Sequence, residues 1–413
     1  MTRNSTLALL SLGLLKFQTV LAVFALISAI TGCGQLMTEA PSKGDLFDAP
    51  FPELSPELNL MFSRGDEAFG KAFTIDEGLG PIFNNVSCAS CHSGDGRGSK
   101  QNIFLRFSRG SDLAILEGGP QLQTQSIPGV SPEVLPLGVH SSPRMPPPVF
   151  GVGLIEAIPA DTILSRSDPD DADGDGISGR PNWVEAPEYV PGYEVGGGGG
   201  PQLGRFGRKA NVSSLLQQIV AAYLQDIGIT NDFTPVENNH PLGGGYAMGD
   251  AVADPEIPAG TVVDVLAYLR LLSPPLPGVD TPEIQSGRAL FSQINCASCH
   301  TPYMTTGRHQ IPQLSNTEVW LYSDLLIHDM GSGLADNRPD GSADGQEWKT
   351  APLWGMRVVG DFLDNPGFLH DGRASTVEEA ILLHGGEAQA ARDSFIAMPG
   401  ADRAALLKFV ESR

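Results

Sequence analysis

The sequence predicts a mainly α-helical protein made of two similar domains, the first of which is enlarged by loop insertions. Three observations support this prediction. A Cys-Ala-Ser-Cys-His motif occurs once in each half of the chain, and each half ends in a segment whose apolar residues recur at helical spacing. The 413 residues also include 49 glycines and 33 prolines, a content that indicates long loops between the helices.

The two motifs contain four of the five cysteines, in NNVSCASCHSGDG (Asn84 to Gly96) and in QINCASCHTPYM (Gln293 to Met304). A disulfide inside such a pair would be a tight and reactive ring. A thioredoxin-like site needs a βαβ pattern that the flanking sequence lacks. A single zinc site would have to join two pairs that lie far apart in the chain, each followed at once by a histidine.

Attachment of c-type haem accounts for the histidines as well. On one helical turn, the spacing i, i+3, i+4 places both sulfur atoms and the imidazole on the same side. The sulfurs can then bond the porphyrin while the histidine binds the iron. The sequence therefore predicts two covalently attached c-type haems. The attachment residues are Cys88, Cys91, Cys296 and Cys299, and the proximal iron ligands are His92 and His300.

Helical segments give the domain boundaries. We expect a Phe-containing helix directly before each motif, in GLGPIFNNVS and in EIQSGRALFSQIN. Amphipathic helices are predicted at the ends of the halves, in Thr261 to Pro275 and in Asp402 to Arg413. A haem motif near the start and a packed helix at the end is the plan of a cytochrome c domain. Because the segment between the halves is Pro-rich, we predict cytochrome c-like haem domains at 51–275 and 276–413.

The N-terminus has the features of an export signal. Residues 1–32 contain no acidic residue, and Val20 to Ile30 is an unbroken apolar or small-residue run that is too short to span a bilayer comfortably. The run leads through Thr-Gly into Cys33, as in a bacterial lipoprotein box. We expect a signal peptide at 1–32, lipidation of Cys33 and a linker at 33–50. An ordinary signal peptide and an uncleaved anchor are the alternatives.

These features predict the location and the partners. A lipid-anchored chain would face the periplasm, from the outer membrane because Gly34 stands where an inner-membrane retention signal has Asp. The net charge of −22 argues against binding to nucleic acid or to anionic lipid, and it suits a basic protein. We therefore expect a redox donor protein such as a small cytochrome, and membrane contact by the lipid anchor only. The sequence leaves open whether the chain forms a homodimer.

Six longer segments carry a resemblance to a known family. They are PPPVFGVGLIEAIPADTI (Pro146 to Ile163), DPDDADGDGISGRPN (Asp168 to Asn182), GRFGRKANVSSLLQQ (Gly204 to Gln218), YSDLLIHDMG (Tyr322 to Gly331), KTAPLWGMR (Lys349 to Arg357) and FLHDGRASTVEEAILLHGGEA (Phe368 to Ala388). Over residues 65–413 the chain resembles the di-haem oxidoreductase, putative peroxidase family, also labelled thiol oxidoreductase. That family is related to the bacterial di-haem cytochrome c peroxidases.

The resemblance implies a second ligand for the C-terminal haem. Similar peroxidases have His-Asp-Gly followed, at a fixed offset, by a methionine that binds this iron. Here His384 stands at that offset from His370. A His/His pair lowers the reduction potential relative to His/Met. A helix cap before Gly385 is the alternative role of His384. For His370 and His328 we expect hydrogen bonds near a haem propionate or the domain seam, against plain packing.

The second ligand of the N-terminal haem is left open by the sequence. Alignment of SSLLQQIVAAY with STVEEAILLHG places Ala222 opposite His384, so this position offers no donor atom. The remaining donors in the first half are His140, Met145, His240 and Met248. The resemblance favours His140, because related peroxidases have a distal histidine before the segment that resembles PPPVFG. An exposed loop histidine is the alternative.

An iron without a strong second ligand can take hydrogen peroxide, whose cleavage also needs a group that moves a proton between the two oxygens. The candidates for this catalytic role are Gln217, Gln218, Asp226 and His370. The first three fit a solvated helix face equally well. Related peroxidases also place a Trp between the haems, where this chain has Phe206. The other aromatic candidates are Trp183, Trp320, Trp348 and Trp354, and a buried Trp is more often a core residue.

An acidic turn is a candidate calcium site. In DPDDADGDGISGRPN, Asp171, Asp173 and Asp175 alternate and are followed by Gly176, as in the first half of an EF-hand loop. Position 12 of that scheme is Asn182 rather than a bidentate Glu, so the match is partial. Related peroxidases hold calcium near the haem interface. A solvated acidic turn is the alternative.

Three functions are compatible with these predictions. The first is peroxidase-like reduction at the N-terminal haem, with electrons that enter at the C-terminal haem. The second is an electron-transfer cytochrome in which both irons are six-coordinate and no substrate is turned over. Oxidation of a partner protein, which one relative of these peroxidases performs, is a third. The label thiol oxidoreductase has no support in the residues, because no cysteine is left for exchange.

Overall fold

The computed structural model describes residues 46–92, 94, 96–190, 201–241, 249–250 and 252–413. Cys33, the predicted signal peptide at 1–32 and most of the 33–50 linker lie outside these residues, as does Met248. Lys43–Arg413 forms one compact unit, and the domain boundary at residue 275 stays a prediction. Within the described part of the chain, no helix is both long and apolar enough to cross a membrane.

Helices form the framework of the described residues. In chain order they are α1 (Pro56–Gly70), α2 (Cys88–Cys91), α3 (Val152–Ala157), α4 (Ala160–Leu164), α5 (Leu215–Ala222), α6 (Ala259–Leu271), α7 (Pro282–Gln293), α8 (Cys296–Cys299), α9 (Val359–Phe362), α10 (Val377–Leu383), α11 (Gln389–Ala397) and α12 (Gly400–Glu411). A π-helical turn, Tyr223–Ile227, follows α5 directly. Such turns occur frequently at functional sites.

Short antiparallel strand pairs join the helices, so the prediction of a mainly α fold is only partly right. The pairs are β1 (Ile82–Phe83) with β3 (Gln125–Ser126), β2 (Phe104–Ser108) with β4 (His140–Arg144), β5 (Trp183–Val184) with β6 (Gln202–Leu203), β7 (Met304–Thr305) with β8 (Glu318–Val319), and β9 (Ile327–Asp329) with β10 (Glu347–Lys349). Most are two or three residues long, which is too short for a two-residue period to be visible in the sequence.

The two halves share one packing feature, the crossing of an early helix with the last one. In the first half α1 packs against α6, and in the second α7 packs against α12. A Cβ atom on Gly65 would lie 2.2 Å from the Asp264 carbonyl oxygen, and one on Gly287 would lie 2.0 Å from that of Ala405. Glycine is therefore required at both crossings. The helices predicted at the two chain-half ends are confirmed.

The helix predicted directly before the first motif is absent. The chain from Gly78 to Ser87 forms loops and β1 instead, and the preceding helix ends at Gly70. The backbone of Gly78 and Gly80 lies at φ of 101° and 99°, and Pro81 follows, so this stretch cannot continue a helix. Before the second motif, α7 lies where the sequence predicts it.

A buried ion network connects the two halves. Asp340 accepts hydrogen bonds from Arg144 at 2.8 Å and from Arg338 at 2.7 Å, and Lys209 donates to Asp336 at 2.8 Å. These five side chains are at most 4% exposed. Burial alone would raise the pKa of Asp340, but the surrounding arginines hold it well below its usual range. The carboxylate therefore stays charged.

We predict that Asp340→Asn destabilises the protein by about 3–5 kcal/mol, because it leaves two arginines buried without their shared carboxylate. Urea unfolding of the haem-loaded protein measures the loss. Glu283→Gln is the matched control, since Glu283 pairs with Lys408 at the surface and is 49% exposed. The control should change stability by at most about 1 kcal/mol. Equal effects of the two substitutions would contradict the role of the network.

Candidate functional site

Both cysteine motifs open onto one cavity. Each motif forms a single helical turn. The backbone N–H of its histidine donates to the backbone carbonyl of its first cysteine, at 3.0 Å in the first motif and 2.9 Å in the second. All four cysteines and both histidines line this cavity. Its volume is about 420 Å³, and its lining is mostly apolar.

The cysteine environment disfavours thiolate chemistry. Burial raises the pKa of Cys91 to about 11, with a further contribution from Asp226, and it raises the pKa of Cys296 to about 12. Burial likewise raises the pKa of Cys299. A thiol that stays protonated is a poor zinc ligand and a poor partner in disulfide exchange. An uncharged thioether bond to a porphyrin fits the same apolar surroundings.

His300 and His384 both present Nε2 for a metal. The Nδ1 atom of His300 lies 2.9 Å from the Tyr322 carbonyl oxygen, and that of His384 lies 2.7 Å from the Ala380 carbonyl oxygen. Burial lowers the pKa of His300 to about 4 and also lowers that of His384, so both rings are neutral. Each Nδ1–H therefore donates to a carbonyl, which leaves the Nε2 lone pair for iron. Both rings line the cavity.

His92 differs from His300 in its second nitrogen. Burial and the Arg208 charge lower the pKa of His92 to about 4, against a small raising effect of the Pro147 carbonyl. The Nδ1 atom is buried, yet it has no hydrogen-bond partner among the described residues. The Pro147 carbonyl therefore lies close enough to raise the pKa of His92, but it does not form a hydrogen bond with the Nδ1 atom. The neutral ring fits a metal ligand.

The internal repeat holds in the structure. Ser214 and Thr376 cap α5 and α10 in the same way, each accepting a hydrogen bond from a backbone N–H three residues later. Ala222 and His384 follow at equal distances from these caps, and both line the cavity. The wall that carries a histidine in the second half therefore carries a methyl group in the first half.

Polar side chains flank Ala222 on the same wall. Gln218 lies four residues before it in α5, Asp226 lies four residues after it in the π-helical turn, and all three line the cavity. Burial raises the pKa of Asp226 to about 6, and its carboxylate accepts a hydrogen bond from Gln121. Gln217 instead accepts from the Ser213 N–H at 3.2 Å and is not on the cavity wall.

Among the described residues, the predicted donors His140, Met145 and His240 do not line the cavity. His140 is an exposed residue of β4, paired with Ser108, so the structure gives no support to its expected role as a distal ligand. Met145 is fully buried elsewhere, and His240 Nε2 lies 2.5 Å from the Ser131 carbonyl oxygen. His140 lies in a paired strand and faces solvent, so it is not directed into the cavity.

An aromatic stack forms another part of the wall. The rings of Trp348 and His370 are parallel, with centroids 3.6 Å apart, and both line the cavity. Burial lowers the pKa of His370 to about 3, and its Nε2 has no hydrogen-bond partner among the described residues. Trp354 and Phe206 also face the cavity. The remaining candidates do not: Trp183 is 43% exposed and Trp320 is 52% exposed.

Three basic side chains on the cavity wall were not predicted from the sequence. Arg97, Arg208 and Lys349 line the cavity and donate to backbone carbonyls. In the described part of the chain, none of the three forms an ion pair with a carboxylate. Burial lowers the pKa of Lys349 to about 7. Unpaired cations at an apolar cavity fit the carboxylates of a haem. The sequence pointed to Arg208 and Lys349 only through their positions, because both lie in segments that resemble the family.

His328 links two parts of the chain beside the second motif. Its Nε2 lies 2.8 Å from Asp324, and its Nδ1 lies 2.8 Å from Glu387. Glu387 also accepts from the N–H and hydroxyl of Ser178, both at 2.9 Å. Burial opposes the charged ring, but the hydrogen bonds to Asp324, Cys299 and Glu387 raise the pKa of His328 well above 6.5. The expected hydrogen-bonding role at a seam fits this geometry.

The acidic turn differs in one member from the predicted calcium site. Carboxylate oxygens of Asp168, Asp171 and Asp173 lie within 4.8 Å of one another. Asp175 is not in this group, because its carboxylate accepts from the Ile177 N–H at 2.9 Å and the residue lies at the cavity. Asp168 belongs to the group instead, and its carboxylate accepts a hydrogen bond from the Ala172 N–H.

Comparison with known proteins gives one family. The family described as Di-haem oxidoreductase, putative peroxidase matches residues 31–109 and 122–413. No curated protein sequence matches the chain. A solved structure of Kuenenia stuttgartiensis hydrazine synthase, pressurized with 20 bar xenon, is similar at a TM-score of 0.37 and 14% identity, over 91% of this chain and 96% of that chain. A score this low carries no conclusion.

We predict that His328→Gln flattens the pH dependence of stability above pH 6.5. The raised pKa of His328 means that its ion pairs contribute fully below pH 6.5 and lose their contribution as pH rises through the folded-state value. The contribution is about 1.4 kcal/mol for each pH unit between the two pKa values. Urea midpoints at pH 6 and pH 9 measure it. His140→Gln, at an exposed site, should keep the wild-type profile, and an unchanged profile in His328→Gln would contradict the charge.

Proposed function

Because the chain belongs to the di-haem oxidoreductase, putative peroxidase family, we propose that it is a di-haem c-type cytochrome that reduces peroxide at its first haem. The family match confirms the resemblance carried by the sequence motifs. One observation decides at which of the two haems peroxide would be reduced. The wall position that holds His384 in the second half is Ala222 in the first, so only the second iron has a histidine on that side.

The residues that line the cavity fit two haems. Cys88, Cys91 and His92 would hold the first, and the corresponding residues of the second motif would hold the other together with His384. When bound, the haems supply one-electron redox chemistry, and an iron with a free face can bind peroxide. The neutral imidazoles, the protonated thiols and the unpaired wall cations are consistent with this assignment.

Asp226 is the best candidate for moving a proton at the first haem. Its pKa of about 6 lets it be a carboxylate at neutral pH and still exchange protons readily. Gln218, one turn before Ala222, would donate a hydrogen bond to a bound oxygen atom. Gln121 fixes the orientation of Asp226 by donating to its carboxylate. Gln217 and His140 have no place in this arrangement.

Electrons would enter at the second haem. His384 in place of methionine lowers the potential of this haem relative to a His/Met pair. The stacked pair of Trp348 and His370 lies on the wall that both motifs share, and it offers aromatic groups for transfer toward the first haem. The net charge of −22 favours a basic donor such as a small cytochrome.

The proposal includes export. Residues 1–32 would direct the chain out of the cytoplasm, and lipidation of Cys33 would hold it at the outer membrane, facing the periplasm. The Cys-x-x-Cys-His motifs support this location, since thiols in an exported protein need a use that removes them from oxidation.

We predict that Cys88→Ala lowers the haem content from two to one per chain, because one thioether and the geometry of its motif are lost. The pyridine haemochrome assay on purified protein measures the content. Cys296→Ala should have the same effect through the other motif. Two haems retained in either variant would contradict covalent attachment at that motif.

We predict one high-spin, cyanide-binding haem in the half-reduced protein, at the first motif. Paramagnetic resonance and visible spectra measure this. His384→Ala should make the second haem high-spin as well, while His140→Ala should leave both spectra unchanged because His140 lies outside the cavity. Two low-spin haems in every redox state would instead identify an electron carrier without substrate chemistry.

We predict that Asp226→Asn lowers the rate of peroxide reduction by about 10²- to 10⁴-fold. The wild-type rate should fall as pH drops below about 6, where Asp226 becomes protonated, and the variant should lose this dependence. Because the folded protein raises the pKa of Asp226, the substitution should not reduce stability at pH 7. Gln217→Ala should keep the wild-type rate, and an active Asp226→Asn variant would remove Asp226 from the mechanism.

A further inference from the structure

A group of four carboxylates lies outside the cavity, in the segment between the π-helical turn and α6. Their oxygens lie within 4.8 Å of one another. We name them the carboxylate cluster: Glu237, Asp250, Asp254 and Glu256. Glu237 is buried, whereas Asp254 is exposed, so the group runs from the interior to the surface.

Glu237 is the buried member of the carboxylate cluster. It is 3% exposed, and both of its carboxylate oxygens are buried without a hydrogen bond among the described residues. One of these oxygens belongs to the cluster and is thus directed at the other acids. Leaving a carboxylate buried and unpaired costs several kcal/mol. Without a cation this side chain is protonated at neutral pH, because its pKa is raised to about 9, and a bound cation would restore the carboxylate.

The described protein residues do not supply that cation. Burial and the three other acids of the cluster raise the pKa of Glu237 to about 9, against a lowering effect of the Asn238 backbone, and no cation is among these causes. Asp254 and Glu256 instead bind the hydroxyl and the N–H of Thr230, at 2.6 Å each. In the part of the chain that the structure describes, no Lys, Arg or His forms an ion pair with any member of the cluster.

We propose that the carboxylate cluster binds one calcium ion. Calcium takes carboxylate oxygens at 2.3–2.6 Å, so two ligands of one ion lie at most about 5.2 Å apart, and the observed limit of 4.8 Å meets this condition. Magnesium is less suitable because it keeps most of its water and needs near-ideal octahedral geometry. This site is separate from the acidic turn at Asp168, and it does not depend on the peroxidase proposal.

The ion would connect the distal wall of the first motif to the start of α6. Thr230 follows the π-helical turn by three residues, and Asn238 donates to the Leu224 carbonyl in that turn at 2.6 Å. Asp232 accepts from the Ala259 N–H at the beginning of α6, at 2.7 Å. A calcium ion between these segments would hold the turn that carries Asp226.

The test is calcium-dependent thermal unfolding of the haem-loaded protein, first treated with EGTA and desalted, together with calorimetric titration with CaCl₂. The wild type should gain thermal stability with millimolar calcium and bind at least one ion, and equal magnesium should give a smaller shift. Glu237→Gln should lose at least tenfold in affinity, although in EGTA it should be no less stable than the wild type, because the amide replaces a carboxyl group that is itself neutral without the ion.

Asp173→Asn is the matched control, because it removes one carboxylate from the other acidic group and should keep the response of the carboxylate cluster. Asp254→Asn, at the exposed rim, gives the decision if Glu237→Gln does not fold, and it should also lower the affinity about tenfold. No calcium response in the wild type would overturn the proposal. A full response in Glu237→Gln or Asp254→Asn would overturn it equally.

Discussion

The buried ion network around Asp340 is the interaction on which the rest of the site depends. Arg144 and Lys209 come from the first half and Asp340 from the second, so each half supplies charges that the other neutralises. Both cations also lie over the Trp348 ring, at 5.5 and 4.5 Å from its centroid. Such a network adds little net stability, but any other arrangement of the halves leaves charges buried and unpaired. The ion network thereby fixes the part of the cavity wall that the stacked rings of Trp348 and His370 form.

One substitution between two repeated helices separates the roles of the halves. α5 and α10 have the same kind of cap, and the residue eight positions after the cap lies at the cavity in both, as Ala222 in one and His384 in the other. In the proposed function, this difference would give the second iron two histidines and leave the first iron with a free face. Asp226 lies in the π-helical turn that directly follows Ala222, and it lines the same cavity.

The sequence predicts which local motifs meet at the cavity better than it predicts the long-range packing. His92 and His300, found from motif spacing, both line the cavity, and so do Ala222 and His384, found from the internal repeat. By comparison, His140 was expected at the cavity and lies exposed in a strand, because pairing of β2 with β4 joins residues that are distant in sequence. Short strands and buried cations such as Arg208 leave no periodic pattern. They are determined by tertiary contacts, which a single sequence does not display.

The ligands of the second haem limit how electrons can flow in the proposed function. With His384 instead of methionine, this haem would have a lower potential than in a His/Met site, so it would pass electrons on readily and store them poorly. In the proposed function, a donor for such a site would have to be strongly reducing. The net charge of −22 would favour a basic donor, so both the potential and the charge of the partner are constrained.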